Sequence, residues 1–144
     1  MQHALSTILI GIIGAVPITA VSDVAPGTPE QIVAHHMSAS EAGDVDGILA
    51  DYADTAVVMT AGGKTQGRAA IRKVFERILG GPAASRPRLT ITQKYFTDQI
   101  GYIVWVQNAG KPEELRGSDT FVIRHGKIVA QTVNVVPMHP PSKP

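Results

Sequence analysis

Apolar residues recur along this chain first at helical intervals and later in alternation. Ile32, Val33, His36 and Met37 fall at i, i+1, i+4 and i+5, one stripe of a helix. Thr28 can cap that helix, Pro29 suits its first turn, and Glu30 favours the positive end of its dipole. The helix is predicted to run to about Ala42 and stop at Gly43. His36 lies on the buried stripe, whereas His35, turned about 100° away, faces solvent. Asp44 then caps a short helix, VDGILADY, with Ile48, Leu49 and Tyr52 on its inner face. The clearest helical pattern is GRAAIRKVFERILGGP. Ile71, Val74, Phe75, Ile78 and Leu79 form its apolar stripe, charged residues cover the rest, and Gly80, Gly81 and Pro82 end it.

The strand regions read differently. TAVVMT, Thr55 to Thr60, is β-branched, with Val58 and Thr60 on one face and Val57 and Met59 on the other. AGGK, which follows, reads as a turn. RLTITQKYFT sets Leu89, Ile91, Gln93 and Tyr95 against Thr90, Thr92, Lys94 and Phe96. GYIVWVQN follows a turn at Asp98 and Gln99, and a strand from about Leu115 to Arg124 follows the loop AGKPEE. His125 and Gly126 form a two-residue hairpin turn. The last strand, KIVAQTVNVV, is apolar on both faces and wants cover on both sides. The order helix, helix, strand, helix and then four antiparallel strands predicts an α+β fold. Helices on one face of a curved sheet can enclose a small apolar cavity.

Asp119 disturbs this pattern. In GSDTFVIRHGKIVAQTV it shares a strand face with Phe121 and Ile123. A carboxyl group on an apolar wall has its pKa raised, because burial disfavours the charged form. It can then donate a hydrogen bond to a carbonyl oxygen or act as acid and base near neutral pH. The structural alternative is a carboxylate bonded to a backbone amide or to Arg116. His36 reads either as a satisfied core histidine or as the partner of Asp119 in a pocket dyad. Tyr52, Met59, Trp105 and Phe121 are large enough to line a cavity or to fill the core. Asn134, polar in an apolar strand, fits a pocket or an edge.

Composition narrows the chemistry. With 144 residues and 44% hydrophobic content, the chain makes one domain with a real core. All thirteen Lys and Arg residues stand at or after Lys64, but they neither cluster nor interleave with aromatics, so no nucleic-acid partner is expected. There is no cysteine, hence no disulfide, thiolate nucleophile or zinc–thiolate site. The pair His35–His36 diverges on a helix and makes no metal site, and TAGGK lacks the pattern of a phosphate loop. No metal or cofactor is expected. ALSTILIGIIGAV, followed by Ala20 and Ser22 in a small-x-small pattern, reads as a signal peptide over residues 1–22. It is too short for a membrane span of roughly 20 residues. This implies a secreted or periplasmic protein, with a cytoplasmic one as the alternative. Residues 23–137 are then the domain, and 138–144 a disordered Pro-rich tail.

EAGDVDGILADYADTAVVMTAGG, then GRAAIRKVF and DTFVIRHGKIV, together resemble the nuclear transport factor 2-like superfamily, most closely its SnoaL-like and steroid Δ-isomerase-like branches. The resemblance covers Thr28 to Pro137. It implies a cone: a strongly bent, mostly antiparallel sheet wrapped around three helices, with a pocket at the open end. It further implies a small apolar ligand and a homodimer through the outer sheet face. Steroid isomerases of this type use a helix tyrosine, a protonated aspartic acid and a second aspartate as base. By position, His36 stands for that tyrosine, Asp119 for the protonated acid and Thr60 for the base. Thr60 cannot act as a carboxylate base, which argues against steroid isomerisation by that route. A cyclase-like or dehydratase-like use of Asp119 and His36 on an apolar carbonyl compound stays open. So do a non-catalytic exported carrier and a dimeric assembly module of the same fold.

Overall fold

Each helix forms where its end signals stand. The computed structural model describes residues 27–137. The expected signal segment and Pro-rich tail lie outside them. Helix α1 (Pro29–Ala42) opens on a reciprocal cap: Thr28 Oγ1 accepts from the Gln31 amide, and Gln31 Oε1 accepts from the Thr28 amide. It closes at Gly43, whose φ of 71° is left-handed. Helix α2 (Val45–Asp51) starts from Asp44, whose carboxylate accepts from the Gly47 amide. Helix α3 (Arg68–Leu79) buries Ile71 and Leu79. None of these helices is long and apolar enough to cross a membrane.

Six strands follow: β1 (Tyr52–Thr60), β2 (Gly63–Gln66), β3 (Leu89–Phe96), β4 (Ile100–Gln107), β5 (Leu115–Arg124) and β6 (Lys127–Pro137). They form one sheet in the order β2-β1-β6-β5-β4-β3. All pairings are antiparallel except β1 with β6, which is parallel. The inner face packs on the helices through Ala56, Val58, Ile103, Trp105, Phe121, Ile123 and Ile128. The architecture is the expected α+β fold, with three helices against a curved sheet.

Three local readings need correction. Tyr52 does not extend α2: its extended backbone (ψ 142°) caps that helix and begins β1, with its side chain fully buried. AGGK is only half turn, because Gly63 and Lys64 already belong to β2. That strand carries no apolar residue, so its pattern was silent. In β3 the alternation does not run through. Ile91 pairs with Trp105 and Gln93 with Val104, so Thr92 is an extra residue that shifts the phase. Leu89 and Phe96, seven positions apart and nominally on opposite faces, therefore both pack on the core. Tyr95 turns outward and stacks on Tyr102.

Candidate functional site

Between the helices and the inner sheet face lies a cavity of about 230 Å³. Its walls are mostly apolar: Ile71, Val74, Phe75 and Leu79 from α3, with Val58, Leu89, Trp105 and Val133 from the sheet. His36, Asp119, Gln131 and Thr60 add polar groups. Thr60, Ile78 and Val135, all exposed, mark its rim. A larger groove of about 900 Å³ runs past Thr28, Phe96 to Gln99 and Ile123 to Gly126, but it is open and holds none of the candidate residues.

Asp119 is positioned by sheet register. It pairs directly with Ile103 on β4 and Val133 on β6. Its polar partners are the diagonal neighbours on both sides. Trp105 Nε1–H donates to Oδ1 at 2.9 Å, and Gln131 Nε2–H donates to Oδ2 at 2.7 Å. Tyr52 O–H in turn donates to Gln131 Oε1. The chain Tyr52–Gln131–Asp119–Trp105 thus fixes one carboxyl group from two flanking strands. Arg116, the alternative partner, instead bonds Glu114. Burial pushes the Asp119 pKa above the ordinary carboxylate value, while the bonds from Trp105 and Gln131 pull it back. Burial likewise raises the Tyr52 phenol, helped by the nearby Asp119 and Asp51.

Register also explains a glycine. Gly117 stands directly opposite Trp105, and a Cβ there would lie 2.3 Å from Trp105 Cζ2 and 2.5 Å from the Asn134 carbonyl oxygen. Only a residue without a side chain lets the indole reach Asp119.

His36 comes from the buried stripe of α1. Its ring meets Tyr52, Phe75 and Phe121 edge-on, with centroids 5.4 to 5.8 Å apart. Its Nδ1 is sealed from solvent without a hydrogen-bond partner. Burial, and then the neighbouring His35, lower its pKa to about 4, so it is neutral at pH 7. His36 and Asp119 line one cavity but share no hydrogen bond; the side-chain donors to the Asp119 oxygens are Trp105 and Gln131.

Of the other candidates, Trp105 and Thr60 line the cavity. Thr60 Oγ1 accepts from the Gly62 amide at the rim. Tyr52 and Phe121 are fully buried and pack under His36 rather than lining the space. Met59 and Asn134 do not line it. Both are exposed, on the opposite strand phase from Val58 and Val133.

Two residues escaped the sequence reading. Gln131, not Asn134, is the inward polar group of β6, because a register shift near Val129 resets the phase. Asp51, 9% exposed, lies at the end of α2, where its two oxygens sit 2.9 Å from His35 Nδ1. A carboxylate at a helix C-terminus opposes the dipole, and that was the available signal. Among the described residues no group of three or more His, Cys, Asp or Glu could hold a metal ion.

Residues 33–131 match the SnoaL-like domain model, and the chain belongs to that family. Solved structures agree on the NTF2-like fold. A protein from Kribbella flavida DSM 17836, provisionally described as a ketosteroid isomerase, superposes with a TM-score of 0.65 at 14% identity, covering 79% of this chain and 82% of its own. SalBIII, an epoxide hydrolase/cyclase-like enzyme of pyran ring formation in the polyether salinomycin, gives 0.61 at 20% identity, covering 74% and 89%. An NTF2-like protein of unknown function from Burkholderia xenovorans LB400 gives 0.64 at 20% identity, covering 78% and 87%. No curated protein matches the sequence.

Proposed function

We propose that this chain binds a compact apolar molecule with a carbonyl-type oxygen, held at Asp119, and turns it over by acid–base chemistry through Asp119 and His36. One observation carries the reading: a carboxyl group with a raised pKa, held by two hydrogen bonds, in the wall of an otherwise apolar cavity. A neutral carboxyl group there donates to a carbonyl oxygen, most strongly when negative charge develops on it. The volume of about 230 Å³ lies below the roughly 300–1,000 Å³ of drug-sized pockets, which favours one or two rings over a steroid. The relationship to isomerase-like and cyclase-like folds is compatible with this class.

The test is binding of a fluorescent single-ring or naphthol-type phenol to wild type, Asp119→Ala and His36→Ala. Wild type is expected to bind, and Asp119→Ala to weaken binding at least about tenfold, or 1.4 kcal/mol. Equal binding by all three would make both residues structural. A carrier without turnover is the second reading. It is favoured by Thr60, which is exposed at the rim and supplies no carboxylate. Proton exchange at the carbon next to the carbonyl, followed in deuterated water, separates the two.

We further propose a homodimer through the outer sheet face. Met59, Tyr95 and Val136 are exposed there, beside Tyr102 and Val104. Sedimentation of wild type against Val104→Lys tests it, with dissociation expected in the variant. Export is a separate proposal, resting on the apolar run at residues 4–16. N-terminal sequencing of the protein recovered outside the cytoplasm tests it.

A further inference from the structure

His36 Nδ1 is the one buried side-chain polar atom without a hydrogen-bond partner among the described residues. Asp51 Oδ2 lies 3.9 Å away. That is too long for a hydrogen bond, but close for a charge in a buried space. We infer that Asp51 is a positioning residue that fixes the tautomer of His36. Its carboxylate selects the Nδ1–H form and leaves Nε2 as a bare lone pair for the cavity, the proton acceptor that Thr60 cannot be.

The geometry supports this from both sides of the ring. A lone pair on Nδ1 would face the Asp51 anion, whereas an N–H dipole there is attracted to it. Asp51 is itself held in place. Burial raises its pKa, while His35, which bonds both its oxygens, and the Lys127 ammonium, which donates to the Ala50 carbonyl, pull it back toward the carboxylate. These two partners offset the unfavourable position at the C-terminus of α2. The remaining titratable groups around His36 are Tyr52, in edge contact, and Asp119, in the wall of the same cavity. His36 itself lines that cavity and makes no hydrogen bond among the described residues, so Nε2 is the nitrogen left for a ligand.

The inference rests on the reading of the cavity as a reactive site, and it completes the chemistry. Nε2 takes a proton from the carbon next to a carbonyl. The electron pair of the broken C–H bond moves through the new C=C bond onto the carbonyl oxygen, to which the Asp119 carboxyl donates a hydrogen bond. The imidazolium then returns the proton at another carbon of the conjugated system, so atoms and electrons balance without a co-reactant.

The test needs no ligand, so it stands apart from failure of the cavity reading. Long-range ¹H–¹⁵N correlation on the full chain at pH 7 reads the tautomer of each imidazole, with His36 assigned by its loss in His36→Phe. Wild type is expected to show mainly Nδ1–H, and Asp51→Asn to lower the Nδ1–H to Nε2–H ratio at least about tenfold. Mainly Nε2–H in wild type, or an unchanged ratio in Asp51→Asn, overturns the inference. Should Asp51→Asn not fold, the exposed His35→Gln variant keeps the carboxylate and is expected to retain Nδ1–H; a switch to Nε2–H there also overturns it.

Discussion

At the residue scale, two positions make sharp predictions. Gly117→Ala would drive a methyl group into Trp105, so it is expected to destabilise the fold by about 1–3 kcal/mol, as overpacking does. Trp105 is the only tryptophan, so its fluorescence should report displacement from Asp119 directly, beside a denaturant titration. His36 predicts a pH dependence. Its folded pKa, about 4, lies below the ordinary 6.5, so the folded state resists the proton that the unfolded chain accepts. Its contribution is full above pH 6.5 and is lost as pH falls through 4. Wild type should therefore lose about 3 kcal/mol more than His36→Phe between pH 7 and pH 4 in urea unfolding. Asp119 acts oppositely: its raised pKa contributes stability at low pH that fades as pH rises through the folded value. Asp119 was legible from strand phase alone. Its donors were not, because they stand 14 and 12 positions away in sequence and meet it only through register.

At the element scale, Arg86 ties two helix ends together. Its Nη1 donates to the Ala42 carbonyl at the end of α1, and its Nε to the Leu79 carbonyl at the end of α3. Those carbonyls belong to final turns that lack helical partners, and the cation also suits both dipoles. Arg86→Ala is expected to cost about 1–2 kcal/mol, readable as a lower urea midpoint at unchanged slope. Nothing in the local sequence Ser85-Arg86-Pro87 announces this clasp. The helices themselves were legible, because caps and periodicity are local. The β3 bulge was not, since Thr92 looks like any alternating residue until Trp105 and Val104 fix the pairing. Deleting Thr92 would remove only the extra residue: Lys94 stays opposite Ile103, within reach of Glu30, and Leu89 and Phe96 become six positions apart, in phase on the core face. The expected outcome is cooperative unfolding with an unchanged slope in urea.

At the scale of the whole molecule, the cavity couples binding to stability. A ligand that binds only the folded state adds about 2.7 kcal/mol at a hundred times its Kd. A phenol that fills the cavity should raise the melting temperature of wild type, and raise that of Asp119→Ala less at the same concentration. The outer face carries a different expectation. Placing a lysine at Val104 should leave ligand binding intact while shifting the sedimentation coefficient, because that face points away from the cavity.

The sequence by itself determined the order of the three helices and of five of the six strands, the buried stripe of α1 and the inward carboxyl of β5. These depend on periods of 3.6 and 2, which are properties of neighbouring residues. Tertiary structure decided the rest. It chose Gln131 over Asn134, seated Tyr52 and Phe121 beneath His36, and brought Asp51 to the back of that ring. Each of these turns on a register shift or a contact between distant segments, and neither leaves a trace in local spacing.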